Sequence, residues 1–377
     1  MQTNYINSLT PMRGIAAIWV MFFHMDVIIF YRKFGTLIPH ETSGILAKGY
    51  LWVDFFFLLS GFIISHVYGE TLTHHFGKWK TIKTYLWARF SRIYPLHLFT
   101  LLLLIPFVLV FPLISPAVVD GSWKTFMAWS ALPSNLMLLN SMNQHKYLSW
   151  NLVAWSIGAE WWTYLAACFI IPFVFKKSWF QNGILAVVAV VILSFMVYLK
   201  GNLDITFDYG CVRCVAEFSL GAVLYQIYQK GLGKSGLSKS ISFFCAFVFI
   251  VLIFHFSWND LFIIPTFCLL LLATAYNNGT VKTILETRIF KYLGDISYSI
   301  YMMHGVWFMV FWYCLPYLRS NYGIETLSLG MKVIFVTLFM GLTFLSAHFT
   351  YHFVEVKSRK LLKKRMKSKQ GNFEIVE

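Results

Sequence analysis

Runs of roughly 20 apolar residues recur about ten times along this chain, near 12–31, 50–68, 95–119, 150–175, 183–199, 210–228, 238–257, 260–276, 293–313 and 330–353. Each is long enough, or nearly so, to cross a bilayer. A helix satisfies its own backbone hydrogen bonds within one such run, so the pattern reads as an all-α, polytopic membrane bundle of about ten transmembrane helices. Composition agrees: 58% of residues are hydrophobic and 12% charged, about half the charged fraction usual in soluble domains. The stretch 123–140 is apolar but holds Pro133 and ends in polar residues, so it reads as an interfacial or re-entrant segment. The first run continues to about Tyr31, too long for a signal-peptide core and with no small-residue cleavage site after it; it reads as a retained helix.

Lys and Arg number 31 against 16 Asp and Glu. Such an excess can mark a nucleic-acid binder. Here the basic residues fall in short loops between apolar runs, which points to membrane topology and to no nucleic-acid partner. With the N-terminus cytoplasmic, the inner loops carry Lys78, Lys80, Lys83, Arg89 and Arg92, then Lys176 and Lys177, Lys230 and Lys234, and Lys282, Arg288 and Lys291. Counting 123–140 as a span would move the later groups outside. Both termini are therefore expected in the cytoplasm. Residues 1–356 read as one transmembrane domain and 357–377 as a basic tail, lying on anionic lipid or anchoring topology. Cys211 and Cys214 form a lone C-x-x-C with no second ligand pair, so no metal is expected.

Ionisable residues inside hydrocarbon are costly and usually functional. The stretch RGIAAIWVMFFH places Arg13 and His24 on one helix face, about 16 Å apart along the axis and about 20° apart around it. A cation at the surface and an imidazole at mid-depth suit a ligand with an anionic head and a long reactive arm, the shape of an acyl-CoA. Glu160, in WSIGAEWW, and His304, in YSIYMMHG, fall at similar depth. The three runs are expected to converge on a polar cavity, where a carboxylate beside an imidazole would support general-base work. The competing reading is structural: an interfacial anchor, packing histidines and a helix-to-helix link.

Other polar residues carry two readings each. Arg89 and Arg92, in RFSRIYP ahead of Pro95, either clamp phosphates or only satisfy the positive-inside rule. In DFFFLLSGFIIS, Asp54 lies near the outer end, and Gly61 beside Ser60 lets another backbone come close. Ser60 has the chemistry of a nucleophile, but no base is adjacent in sequence. Arg213 and Glu217 are spaced to pair along a helix, and His348 and His352 share a face near the inner end of the last run.

Taken together, these stretches resemble the acyltransferase 3 family of integral membrane acyltransferases. Arg13 and His24 match its R-x10-H element, and DFFFLLSGF at 54–62 looks like its second-helix motif. RFSRIYP at 89–95, WSIGAEWWTY at 155–164 and ISYSIYMMH at 296–304 resemble its later motifs, in the family's order. The resemblance implies an enzyme of the plasma (inner) membrane that moves an acyl group, typically acetyl, from cytoplasmic acyl-CoA to a hydroxyl. The acceptor would be a surface polysaccharide, a lipid-linked sugar or a glycolipid. It implies a catalytic His24, supported by Glu160 and His304, and a donor site at Arg13, Arg89 and Arg92. Some relatives carry a fused extracytoplasmic domain; the 377 residues leave no room for one, so a stand-alone member is expected. The sugar would enter between 120–149 and 200–209, where Trp123, Trp129, Trp150 and Trp155 either stack on it or form an interfacial belt. The rival function is a transporter or flippase for an acylated glycan or small solute, which also needs central ionisable groups.

Overall fold

The computed structural model describes residues 6–116 and 121–370, with side chains to residue 364; 117–119 of the third run and 371–377 of the tail lie outside the described residues. The regular elements of the described residues are all helical, with no strand among them. Helices α1 (Leu9–Tyr31), α2 (Trp52–His74) and α3 (Trp79–Ile114) come first. Two short helices follow, α4 (Gly121–Phe126) and α5 (Leu132–Leu136), then α6 (Ala154–Lys176), α7 (Trp179–Lys200) and α8 (Gly210–Gln229). After a one-turn α9 (Lys234–Leu237) come α10 (Ser240–His255), α11 (Ile263–Tyr276), α12 (Thr280–Leu285) and α13 (Arg288–Asp295). The chain ends with α14 (Ser297–Tyr322), α15 (Leu329–Thr350), a π-helical turn at Tyr351–Val356 and α16 (Lys357–Gln370).

Seven of the described helices are long and apolar enough to cross a membrane: α1, Gly49–His74, α3, α6, α7, α8 and Leu329–Lys364. The chain is a multi-pass membrane protein. The other three expected runs form helices for which length or composition falls short. Helix α10 has 16 residues and α11 has 14. Helix α14 has 26 residues, but its first turns carry Ser297, Tyr298, Ser299, Tyr301 and His304, all buried. Protein surrounds that face, so its polar groups find partners without facing lipid. The 123–140 stretch breaks into α4, a 3-10 turn and α5, none long enough to span.

Helix α3 begins well before Pro95, where the sequence suggested a boundary, and holds Pro95, Pro106 and Pro112 within 36 residues. Tertiary packing holds the early part helical. Phe90 meets Trp161 of α6 at 5.7 Å between rings, and the Trp87 indole donates to the carbonyl of Leu362 in α16. The tail therefore docks on α3 at its first three turns.

The tightest helix pair is α2 with α8. A methyl on Gly61 would lie 2.0 Å from the carbonyl oxygen of Phe218, and one on Gly221 would lie 2.0 Å from that of Leu58. Only glycine permits this approach, and close packing is what holds helices together where lipid is as apolar as leucine. Beside this contact Arg213 of α8 donates to both oxygens of Asp54 of α2, at 2.9 and 2.5 Å, with both side chains fully buried. Glu217 stands 3.7 Å from the same guanidinium, as its i+4 spacing suggested. Trp52, packed on Trp19, Phe254 and Phe267, ties the shorter α10 and α11 to α1 and α2.

Candidate active site

Faces of α2, α6 and α14, joined by residues of α1 and α3, build a cavity. On α2 the lining residues include Val53, Phe56, Phe57, Ser60, Ile63 and Ile64, one stripe at helical spacing. On α6 they include Ser156, Glu160 and Tyr164, each four residues from the last; on α14 they include Ser297, Tyr298 and Tyr301. Arg13, Arg89 and Arg92 complete the lining. All three arginines of the two expected basic motifs thus face one space, together with Glu160.

The cations gather at one end of the bundle. Arg89 donates to the Tyr68 hydroxyl at 3.1 Å, and its guanidinium lies over the rings of Tyr68 and, at 6.0 Å, Tyr164. Its Nε is buried without a hydrogen-bond partner among the described residues. Arg13 is fixed in depth by its neighbour: a methyl on Gly14 would lie 2.7 Å from the backbone of Leu293, so α1 rests directly on α13. A fourth cation joins them that the sequence did not single out. Arg359 of α16 donates to Glu355 at 2.7 Å, and Glu355, buried in the π-helical turn, also accepts from Ser299 at 3.1 Å. The charges of Arg13, Arg92 and Arg359 all reach Glu355 and Asp295. Spacing hid this group, because the tail reads only as a charge run.

Deeper in the cavity, Glu160 accepts from Ser60 at 2.7 Å and also from the Tyr164 hydroxyl. At the far wall the Tyr301 and Ser156 hydroxyls share a hydrogen bond of 2.8 Å. The Tyr301 ring meets Phe56 and His304 edge-on, with centroids 5.9 and 5.2 Å away.

Beside Tyr301 the two expected histidines meet. His304 Nε2 lies 3.3 Å from His24 Nδ1, across the α1–α14 contact. His24 Nδ1 also lies 2.9 Å from the carbonyl oxygen of Val20, and His304 Nδ1 lies 3.2 Å from that of Ile300. A carbonyl only accepts, so these partners assign the proton of each ring to Nδ1. His304 Nε2 then accepts from His24, and the lone pair on His24 Nε2 is left for another proton. Phe23 and Phe308 flank the His24 ring. Glu160 meets Ser60 and Tyr164, whereas His24 meets His304 and Val20. Among the described residues the histidine pair and the carboxylate therefore share no hydrogen-bond partner.

Other expectations resolve individually. Trp123, Trp150 and Trp155 are buried, which removes them as sugar platforms; Trp129 is 50% exposed. Trp123 packs on Phe111 and Tyr313, and Trp155 lies under Arg213. His348 and His352 stack on an exposed face and do not line the cavity, although His348 meets Tyr292. Periodicity would have found Ser156, Tyr164 and Tyr301, which share helix faces with Glu160 and His304.

A family model described as an acyltransferase domain matches residues 6–352. The chain is 29% identical over 333 residues to the acyltransferase MdmB of Streptomyces mycarofaciens, covering 81% of this chain and 79% of that protein. It is 23% identical over 364 residues to the O-acetyltransferase OatA of Staphylococcus aureus, covering 89% of this chain and 57% of the relative. Protein 2 in the picA locus of Rhizobium radiobacter is 35% identical over 96 residues, which is 26% of this chain and 42% of that one. The chain thus spans little more than half of OatA. No solved structure matches it.

Proposed function

The chain belongs to the acyltransferase 3 family and is an acyltransferase; on that premise we propose that it moves an acetyl group from acetyl-CoA to a hydroxyl of a carbohydrate acceptor. The acceptor class is a surface polysaccharide, a lipid-linked sugar or a glycolipid, in keeping with the O-acetyltransferase name of the OatA relative. In this reading the bundle crosses the plasma membrane about ten times with both termini in the cytoplasm. The donor enters from the cytoplasm and the acceptor from the opposite side.

The observation that carries the proposal is the alignment of three arginines, an apolar-walled cavity and a histidine with a free Nε2 along one bundle. Arg13, Arg89 and Arg92 bind the CoA phosphates through charge-assisted hydrogen bonds. Phe56, Phe57 and Ile63 give the pantetheine arm an apolar channel. His24 Nε2 takes the proton of the acceptor hydroxyl as its oxygen attacks the acyl carbon. Positive charge that builds on His24 is shared with His304, whose Nε2 accepts from Nδ1 and holds the ring's orientation. Glu160 keeps the cavity polar at thioester depth.

Mass spectrometry of surface glycans and glycolipids from cells making wild type or His24→Ala tests the proposal. An acetyl mass removed by mild base, present only with wild type, is the expected result. Equal acetylation with both would remove His24 as the base. Its absence from both, with folded protein and no binding of acetyl-CoA, would turn the reading toward transport.

A further inference from the structure

The cavity holds a second set of reactive groups that the histidine pair does not use. Ser60 Oγ is 2.7 Å from Glu160 Oε1 and 3.3 Å from the Tyr164 hydroxyl. No base for Ser60 is visible along the chain, because Glu160 lies a hundred positions away; the α2–α6 contact brings them together. Tyr164 donates to the same carboxylate oxygen, and Arg89 lies against the Tyr164 ring. Ser60, Glu160 and Arg89 all line the cavity, and neither His24 nor His304 is among its described lining residues. A thioester lowered past the arginines therefore meets Ser60 before it meets an imidazole. Tyr301 lines the cavity and its ring also meets His304 at 5.2 Å, so it touches both sets' surroundings.

We propose that Ser60 is a nucleophile that carries the acyl group as an ester, with Glu160 as its base, so that transfer runs in two half-reactions. This rests on the acyl-CoA reading above. In the first half, Ser60 Oγ attacks the thioester carbonyl and its proton passes to Glu160. The C–S bond breaks, and the leaving thiolate takes that proton to depart as CoA thiol. The Tyr164 hydroxyl steadies Glu160 between its two charge states. In the second half, the acceptor hydroxyl attacks the Ser60 ester. His24 Nε2 takes the hydroxyl's proton, the ester C–O bond to Ser60 breaks, and the proton returns through His24 to Ser60 Oγ. No oxidant or reductant enters either half. With Glu160 on Ser60 and His304 on His24, each half has a base of its own: one for the nucleophile and another for the acceptor.

Isotope exchange separates the halves. The full chain, purified in lipid nanodiscs, is given acetyl-CoA and isotopically labelled CoA without acceptor. The wild type is expected to move label into acetyl-CoA. His24→Ala is expected to keep this exchange while losing transfer to acceptor. Ser60→Ala and Glu160→Gln should each lose exchange by about 100-fold or more. Ser60→Cys, which keeps a nucleophile, should accumulate a hydroxylamine-sensitive acyl adduct on the peptide containing residue 60, seen by mass. Transfer to acceptor at wild-type rate by Ser60→Ala overturns the proposal. So does a wild type that transfers to acceptor yet shows neither exchange nor adduct. A wild type that does not bind acetyl-CoA at all removes the functional reading first, and this step with it.

Discussion

His304 Nε2 accepts from His24 Nδ1 across 3.3 Å, joining residues 280 positions apart. The Val20 carbonyl fixes the His24 tautomer, with the basic nitrogen turned away from that carbonyl, and His304 lies against the same Nδ1. In the proposed reaction His304 acts through His24, as a positioning residue. His304→Gln is expected to lower kcat, with little change in KM for donor, and to reshape the acid limb of the pH–rate profile. His24→Ala is expected to lose about 100-fold or more. Equal kcat and an unchanged pH profile in His304→Gln would detach the second ring from the chemistry.

The ion pair of Arg213 with Asp54 is fully buried. Removing Asp54 leaves the buried Arg213 with only Glu217, 3.7 Å away, in place of two close hydrogen bonds. Asp54→Ala should cost about 3–5 kcal/mol of stability, whereas the triple variant Asp54→Leu, Arg213→Met, Glu217→Gln, which empties the buried cluster of charge, should recover much of it. Thermal unfolding in detergent, read by a thiol-reactive dye on the buried cysteines, would show this ordering.

Where α2 meets α8, Gly61 and Gly221 set the spacing. Gly61→Val pushes the helices apart and draws Ser60 from Glu160. Its expected signature is loss of folded protein in size-exclusion profiles, whereas Ser60→Ala, which adds no atoms, should fold normally. A monodisperse, active Gly61→Val would show that this approach is dispensable.

Arg359 adds positive charge beside Arg13 and Arg92 and is held by Glu355. Arg359→Ala is expected to weaken CoA binding by roughly tenfold, about 1.4 kcal/mol, without changing kcat at saturating donor. Calorimetry at two salt concentrations provides the check, since part of the effect should fade as salt screens the exposed charges. Identical isotherms for wild type and variant would confine Arg359 to docking the tail.

Hydropathy and helical period make much of this protein legible along the chain. The helical class, the apolar runs, the shared face of Arg13 and His24, and the small pair at Ser60 and Gly61 are all properties along one helix. They follow from a fixed rise and twist per residue. The resemblance of five motifs in order likewise points to the acyltransferase family to which the chain belongs.

Which helix faces which is set by packing between them, and no local period encodes it. The pairing of His24 with His304, of Ser60 with Glu160 and of Arg213 with Asp54 each joins residues a hundred or more positions apart. The same holds for the tail, which reads as a run of charge until Trp87 donates to Leu362 and Ser299 to Glu355, docking it at the basic end of the bundle. Sequence by itself determines a depth for each ionisable residue, because depth follows from position along the helix axis. Only the tertiary structure decides its partner, because a partner depends on how side chains interlock when helices pack without a hydrophobic force between them.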